Sequence, residues 1–266
     1  MQFKIWKYLK LYISLFVQEL KSKMSYPIDF LIALSAIVCT CGIVFFSFWV
    51  IFENFSSIGG FSYDEIMFLY GFFLVAITPA QIFFANNWNL ANKIYTGDFL
   101  IYCTKPINVF FYFYSEVRDF NGFFQGIVGI LVMRFSCTNL NLQWDITTFF
   151  MLAIGLVSAS LVFISIMNVA ASISFIVING DYLLEIVNKI KDYAKYPISI
   201  YNTFFTILFS IIIPIGYVSF YPSMIILRRN TLNFFCSISP IIGGVMFFIS
   251  YKIWMCISRK YIGTGS

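Results

Sequence analysis

A chain of 266 residues that is 60% hydrophobic, 21% aromatic and only 11% charged does not have the composition of a water-soluble domain. Soluble domains are about 45–50% apolar and about 25% charged, whereas the mean hydropathy here is +0.85. The sequence contains no histidine, which excludes histidine-based catalysis and argues against a zinc site. The net charge of +5 comes from basic residues scattered between apolar runs, so no nucleic-acid partner is expected.

Residues 1–25 are predicted to form an amphipathic helix. Apolar residues recur there at helical spacing, and Lys4, Lys7 and Lys10 fall on the other side. Such a helix lies in the membrane interface, and the cytoplasmic leaflet is favoured because its anionic lipids attract lysine. The alternative is that this segment is the extended start of the first membrane span.

Six apolar runs are predicted to cross the membrane, so the expected fold is an all-α polytopic membrane protein with a single transmembrane domain over residues 1–266. Each span needs about 20 residues. The fifth span begins at Pro197 and is interrupted at Pro214. Residues 214–240 are predicted to form a re-entrant pair of short helices on the outer side, because broken helices at membrane depth need protein or water around their freed backbone groups. The other spans are residues 27–52, 66–85, 119–133, 146–178 and 241–257.

The basic residues are distributed unequally between the two sides of these spans. With the N-terminus inside, all but three of the 17 lysines and arginines fall in inner segments, and the three exceptions are Arg134, Arg228 and Arg229. Inner loops of membrane proteins carry this excess of positive charge. The sequence therefore predicts a cell-membrane protein with both termini in the cytoplasm.

Two inner segments mix exposed charge with apolar anchors. Residues 86–114, called the connector below, contain a break at Gly97 and a turn before Pro106. Residues 181–196 are predicted to form a cytoplasmic helix with one apolar face and with Glu185 and Lys189 among its polar residues. This composition fits docking to a cytoplasmic partner while the segment stays fixed to the bilayer, and it also fits ordinary interfacial loops.

Sequence motifs for chemistry are missing. The chain has no phosphate-binding GxxxxGK[ST] loop, no HExxH, no GxSxG and no dinucleotide-binding glycine pattern. Proton-coupled carriers usually need an ionisable relay inside the membrane. The nearest candidates, Asp29 and Asp119, sit at span entrances, where helix capping is the expected role. We therefore expect no catalytic residue, cofactor or metal in this chain.

Small residues bear on how the spans pack. Gly122, Gly126 and Gly129 lie at spacings that permit close helix approach, either within the chain or at a dimer face. The cysteines are expected to be apolar fillers. A disulfide between Cys137 and Cys236 stays open, since both positions could lie near the outer surface.

In order and spacing, several motifs resemble the permease subunit of an ATP-binding cassette exporter of the ABC type-2 class, in the bacterial branch encoded beside a separate ATPase. The resemblance covers nearly the whole chain. Lysine stands before Pro106, where arginine is more usual. The matching features are the six spans after an amphipathic helix, Gly97-Asp98 followed by Lys105-Pro106, Tyr196-Pro197, Pro214 with Tyr221-Pro222, and the terminal residues 261–266.

The resemblance implies a division of labour. Two cytoplasmic ATPase subunits would bind ATP and magnesium, and two permease subunits, identical or similar, would export a hydrophobic or amphipathic peptide, lipid or drug by alternating access. The alternatives are a carrier or channel not driven by ATP, and a membrane-embedded enzyme or assembly factor. The resemblance implies an outer gate at Pro214, Tyr221 and Pro222, and an ATPase-coupling interface at Asn92, Lys93, Gly97, Asp98, Lys105, Pro106, Glu185 and Lys189.

Overall fold

A computed structural model describes residues 27–177, 180–227 and 234–261, together with the isolated positions 14, 17 and 21. The predicted interfacial helix over residues 1–25 therefore lies outside the described residues, apart from those three positions. Within the described residues the chain is helical and contains no β-strand, which confirms the all-α class. In chain order the α-helices are α1 (Pro27–Asn54), α2 (Tyr63–Phe83), α3 (Leu90–Tyr95), α4 (Leu100–Cys103), α5 (Val109–Glu116), α6 (Asn121–Asn139), α7 (Ile146–Ser172), α8 (Asp181–Ile190), α9 (Thr203–Ile207), α10 (Phe220–Ile226) and α11 (Phe234–Ser258).

Four helical segments of the described residues are long and apolar enough to cross a membrane: Leu31–Asn54, Tyr63–Phe83, Ile146–Phe175 and Phe234–Ser258. α5 and α6 add a fifth only if they are taken as one span bent by 82°. The 19 residues of α6 reach about 28 Å at 1.5 Å per residue. The predicted membrane embedding is thus supported, but the count of six spans is not confirmed.

The helices run between two ends of one bundle. The connector end is formed by residues 86–114, and the loop end is formed by the turn at Gly59 and Gly60 between α1 and α2, where both glycines have positive φ. At the loop end a capping box starts α2, because the Glu65 amide donates to the Ser62 hydroxyl and the Ser62 amide donates to the Glu65 carboxylate. Asn139 at the end of α6 donates to Asp64 (2.8 Å), so α6 returns to the loop end.

Residues 181–200 connect these two ends. The segment starts at the connector end, where Gly180 lies directly against Ser174 after α7. It finishes at the loop end, where the side chain of Ile200 lies against Gly59. The predicted helix is present as α8, but its continuation traverses the bundle.

The residues that follow α8 make contacts with the bundle that the sequence does not predict. The ring of Tyr196 lies 5.4 Å from Phe48 near the end of α1, and Ala194 is buried with its carbonyl accepting from the Ser219 hydroxyl. Glu185 and Lys189 are exposed on α8, whereas Lys191 is partly buried and lines a cavity.

After residue 200 the chain enters the bundle from the loop end and returns to it. α9 continues as a π-helical turn, Leu208–Ile212, and Pro214 then shares the lining of an apolar groove with Met246 and Ile249 in the middle of α11. The chain returns in α10, where the Phe220 ring lies 6.0 Å from Phe61 at the loop end. Local bonds pair part of the backbone at this break, since the Ile215 amide donates to the Ile213 carbonyl (2.6 Å) and the Tyr217 amide donates to the Pro214 carbonyl (3.3 Å).

A glycine seam joins α2 to α6. A Cβ atom on Gly126 would lie 3.0 Å from Thr78, and one on Gly129 would lie 2.7 Å from Leu74. A Cβ on Gly122 would likewise lie 2.8 Å from the side chain of Ile82. The glycine face of α6 is thus covered by α2 of the same chain, and the absence of side chains lets the two backbones approach closely.

A second close contact joins α7 to α11. A Cβ on Gly243 would lie only 2.1 Å from the carbonyl oxygen of Ser158. The Ser158 hydroxyl accepts from the Gly243 amide (3.0 Å) and donates to the Ser239 carbonyl (2.5 Å), so it stands between two backbone groups of α11 that lie one turn apart. These two helix pairs form the rigid part of the bundle.

α1 contributes much less to the interior. Cys41 and Phe48 are buried, but most of its large apolar side chains are exposed, including Ile32 and Ile43. In a membrane this surface meets lipid or another protein, because apolar patches of this size are rare on water-facing surfaces.

Because of the α7–α11 contact, we expect a larger side chain to destabilise the protein at Gly243 but not at Gly244. Gly243→Val should lower the apparent Tm of the detergent-purified chain by several degrees, because overpacking costs about 1–3 kcal/mol and the obstructing atoms are backbone. Gly244→Val is the matched control, since nothing lies within 4 Å of a Cβ there. Equal Tm values for the two variants would contradict the described contact.

Candidate functional site: the connector

The connector is folded against the end of the bundle. α2 ends at Phe83, and the amide-rich segment Ala85–Asn89 follows as a 3₁₀-helix before α3. Asn108 then starts α5, because its side chain accepts from the Phe111 amide (3.1 Å). α5 ends at Glu116, and the break that follows is attached to α2, where the backbone amide of Asp119 donates to the Ile82 carbonyl (3.3 Å).

A buried amide network fixes the start of the connector. Asn87 donates to the side-chain oxygen of Asn168 on α7 (3.1 Å) and accepts from the Tyr114 hydroxyl (2.6 Å). Asn86 donates to the Phe113 carbonyl (2.6 Å). Each of these asparagines is at most 2% exposed. An amide left without a partner at such a site costs about 1–3 kcal/mol. The network therefore holds the start of the connector against α5 and α7.

Gly97 provides the turn that ends α3. Its φ of +80° lies in the left-handed region that glycine adopts readily. The Gly97 amide donates to the Ile94 carbonyl (3.2 Å), and the Phe99 amide donates to the Lys93 carbonyl (3.0 Å). Thr96 donates to the Asp98 carboxylate (2.8 Å) across the turn. This backbone path turns Phe99 from the surface into the bundle.

Phe99 is fully buried in an aromatic cluster. Its ring centroid lies 4.9 Å from Phe175 after α7, 5.5 Å from Tyr261, and 6.0 Å from Trp254 on α11. Buried aromatic pairs in such geometries contribute about 0.5–1.5 kcal/mol beyond their burial. One side chain of the connector therefore contacts both α11 and the turn that follows α7.

A charged contact closes the connector on itself. The ammonium of Lys93 lies 3.0 Å from the Glu116 carboxylate, and Tyr102 donates its hydroxyl proton to the same carboxylate while accepting from Lys93. Burial raises the pKa of Tyr102, and its hydrogen bond to Glu116 raises the pKa further. Tyr102 thus remains a donor, and the contact joins α3 to α5.

α11 and the chain after it complete the site. The Tyr261 hydroxyl donates to the Ile94 carbonyl (3.0 Å), and Asn108 donates to the Tyr251 hydroxyl (2.9 Å). The described C-terminal residues therefore lie at the connector end.

The predicted coupling residues lie on two elements, the connector and α8. Asn92, Asp98, Lys105 and Pro106 are exposed on the connector, whereas Lys93 and Gly97 are partly buried and stabilise its fold. Glu185 and Lys189 are exposed on α8, a different element. The exposed part of the connector also includes apolar side chains that the prediction omitted: Tyr95 (73% exposed), Leu100 (46%) and Ile101 (54%).

Sequence reasoning missed the residues that anchor the connector, chiefly Phe99, Tyr102 and Asn168. Asn168 carries a detectable signal, because it is a lone amide near the end of an apolar span. Phe99 carries none, since one phenylalanine among 34 is not distinguished by its type.

The residues of the predicted outer gate do not form one cluster. Tyr221 is buried, hydrogen bonds with Ser210 and lies 5.4 Å from the ring of Phe235. Pro222 packs against Gly155 of α7. Pro214 lies deeper, at the apolar groove beside α8 and α11.

Among the described residues, no cluster of three or more cysteine, aspartate or glutamate residues could hold an ion. Cys137 and Cys236 are both buried, and no disulfide joins them within the described residues.

Comparison with known protein families gives one match. A family model described as "ABC-2 family transporter protein" matches residues 37–265, which include all of the connector and most of the described chain. The chain therefore belongs to the ABC-2 transporter family and is a permease component of that class. Searches of curated proteins and of solved structures gave no match.

The aromatic anchor predicts a local loss of stability. Phe99→Ala should increase hydrogen exchange across residues 93–105, since deleting a buried phenylalanine ring costs about 3–5 kcal/mol. Leu100→Ala, at the adjacent and half-exposed position, is the control and should leave exchange near the wild-type rate. Similar exchange in both variants would show that Phe99 does not hold the connector.

Proposed function

We propose that this chain is the membrane subunit of an ATP-driven exporter. Two copies of a separate cytoplasmic ABC ATPase drive it, and it pairs with a second permease subunit, identical or similar. The substrate is a hydrophobic or amphipathic peptide, lipid or drug, moved by alternating access. Family membership supports the transport role. The coupling role rests on the connector, because some of its side chains are exposed while others anchor it to two spans.

The exposed part of the connector has the chemistry of a docking surface. Tyr95, Leu100 and Ile101 offer apolar area, and Asp98 and Lys105 flank them with charges of both signs. Interfaces of this kind place apolar and aromatic groups at their centre and polar groups at the rim. Movement of a bound ATPase is passed to α7 and α11 because the connector cannot shift without disturbing their contacts.

Nucleotide acts on this chain through the ATPase. ATP can favour one conformation only if the ATPases bind it differently in the two states. In this proposal α2–α6 and α7–α11 move as paired units, because their closely packed backbones resist separation. α1, which is less buried, faces the second permease subunit or lipid.

We infer the orientation of the chain in the membrane from the distribution of its basic residues. We place the connector and both termini in the cytoplasm and treat residues 181–200 as a crossing in addition to α1, α2, α6, α7 and α11. This removes Lys189, Lys191 and Lys195 from the inner loops, yet most of the remaining basic residues still lie on the connector side. The chain then crosses the cell membrane six times.

Co-purification tests the division of labour. An ATPase with a nucleotide-binding P-loop should co-purify with the tagged chain from its own cell membrane. Vesicles that contain the chain alone should show no uphill transport. Uphill pumping by the chain alone would contradict the proposal and favour a secondary carrier.

Charge reversal tests the docking surface. Asp98→Lys or Lys105→Glu should reduce the ATPase rate of the reconstituted complex several-fold, because each places the wrong charge at the interface rim. Membrane insertion and detergent Tm should be unchanged, since both side chains are exposed. Glu53→Lys, an exposed change at the loop end, is the control, and an unaltered ATPase rate in the connector variants would reject the coupling surface.

A further inference from the structure

A cavity of about 310 Å³ lies beside the start of the connector, where Phe84, Ala85 and Trp88 form part of its lining. Residues of α1, α2, α6, α7 and α8 form the other walls. Sites for small molecules have volumes from about 300 Å³ upward, and they combine apolar walls with a few polar groups. The volume of this cavity therefore suits the head of an amphipathic molecule rather than a whole lipid.

Two glutamine side chains contribute polar groups to this lining. Gln81 on α2 and Gln125 on α6 are partly buried, and neither side-chain amide forms a hydrogen bond within the described part of the chain. A side-chain amide can donate two hydrogen bonds and accept others. The lining also includes the apolar side chains of Ile37, Phe163 and Met167. A ligand in this cavity would therefore meet amide donors beside apolar surface.

Lys191 adds a cation to the same lining. Its ammonium donates to the side-chain oxygen of Asn188, which uses one of its three donors. Its neighbour Asp192 is paired with Lys195 (3.0 Å), and no carboxylate pairs with Lys191 among the residues that the structure describes. In the topology proposed above, Lys191 lies within the membrane domain. Ionisable side chains are costly there, and they mark substrate or ion sites when they face a cavity.

The lining also contains an acid, Asp119. Its Oδ1 accepts from the Asn121 amide (3.0 Å), and Asp119 has further interactions within the chain. Asp119 is therefore already engaged and takes no part in the site. Every variant compared below retains Asp119, so its charge is the same throughout the comparison.

A second cavity of about 200 Å³ adjoins the first along α1. The two share Ile37 and Gln125, and the second extends to Ala36, Thr40 and Cys41. The Thr40 hydroxyl donates to the Ala36 carbonyl (2.7 Å), so this wall offers mainly small and apolar surface. A ligand whose polar group lies at Lys191 has room here for its apolar part.

We propose that the cavity binds the anionic group, a carboxylate or a phosphate, of an amphipathic molecule. The Lys191 ammonium pairs with the anion, because charge-assisted hydrogen bonds are about twice as strong as neutral ones. The amides of Gln81 and Gln125 donate to the remaining oxygens, and the apolar part lies along Ile37. This molecule is the cargo only if the proposed transport function is correct, whereas its binding needs neither ATPase nor nucleotide.

Calorimetry on the purified full-length chain in a non-ionic detergent tests the site. N-acetyl-leucyl-leucine is the carboxylate probe, for a peptide source, and dihexanoyl phosphatidylglycerol is the phosphate probe, for a lipid source. Their comparators lack the anion: N-acetyl-leucyl-leucinamide and dihexanoylglycerol. We expect saturable binding of at least one anionic probe, and about tenfold weaker binding of its comparator. The probe that binds identifies the source.

Substitutions then assign the preference for the anion to Lys191. Lys191→Met should weaken binding of the anionic probe about tenfold and leave binding of the comparator unchanged, so that the preference disappears. Lys191→Arg should retain the preference, because a guanidinium also pairs with carboxylates and phosphates. Lys189→Met, an exposed change on α8, is the matched control and should bind both ligands as the wild type does.

Three results would overturn the site: no saturable binding of either anionic probe, equal effects of Lys191→Met and Lys189→Met, or an undiminished preference for the anion in Lys191→Met. The detergent Tm of each variant separates loss of binding from loss of folding. Because no ATPase is present, failure to co-purify an ATPase would count against the proposed function and leave the binding result intact. Absent binding in a chain that does couple to an ATPase would reject only this site.

Discussion

The hydrogen bond between the side chains of Asn87 and Asn168 is the constraint on which the connector end depends. Both amides are almost completely buried among apolar and aromatic groups, where a missing partner cannot be replaced by bulk water. Their mutual bond holds the 3₁₀ segment that follows α2 against this part of α7. From that point the chain folds as α3 and the Gly97 turn, and Phe99 enters the aromatic cluster beside α11. The proposed docking surface is thus held in a defined position.

The rest of the molecule divides into closely and loosely packed parts. α2 with α6, and α7 with α11, meet at glycines, so their backbones approach closely and any added side chain would collide with its neighbour. Packed contacts of this kind do not deform continuously, and they move as units or separate. α1 lacks such a contact, and residues 181–200 together with the re-entrant turn at Pro214 lie between the rigid pairs. The structure thus consists of closely packed helix pairs joined by more loosely packed segments.

Much of the architecture could be predicted from the sequence, because apolar runs of span length and breaks at glycine and proline are local signals. α1, α2, α7 and α11 follow from such runs. The course of residues 181–200 could not be predicted in the same way. Its alternation of charged and apolar residues is equally typical of an interfacial helix, and only the tertiary contacts show that Lys191 faces an internal cavity and that Ala194 is covered. The exposed charges of the connector were identified from composition, whereas its anchors were not. A buried phenylalanine and an exposed one are identical in a sequence rich in both, and the pairing of Asn87 with Asn168 joins residues that are 81 positions apart.

The bond from Tyr261 to the carbonyl of Ile94 spans 167 positions of the sequence, and that from Asn108 to Tyr251 spans 143. Contacts of such sequence separation form late, since loop closure must precede them. During synthesis, the connector emerges from the ribosome long before α11 exists, and until then it lacks the ring of Trp254 and the hydroxyl of Tyr261. The surface that the partner ATPase would recognise is therefore finished only when the last helix has been inserted, so that an incomplete nascent chain does not yet display it.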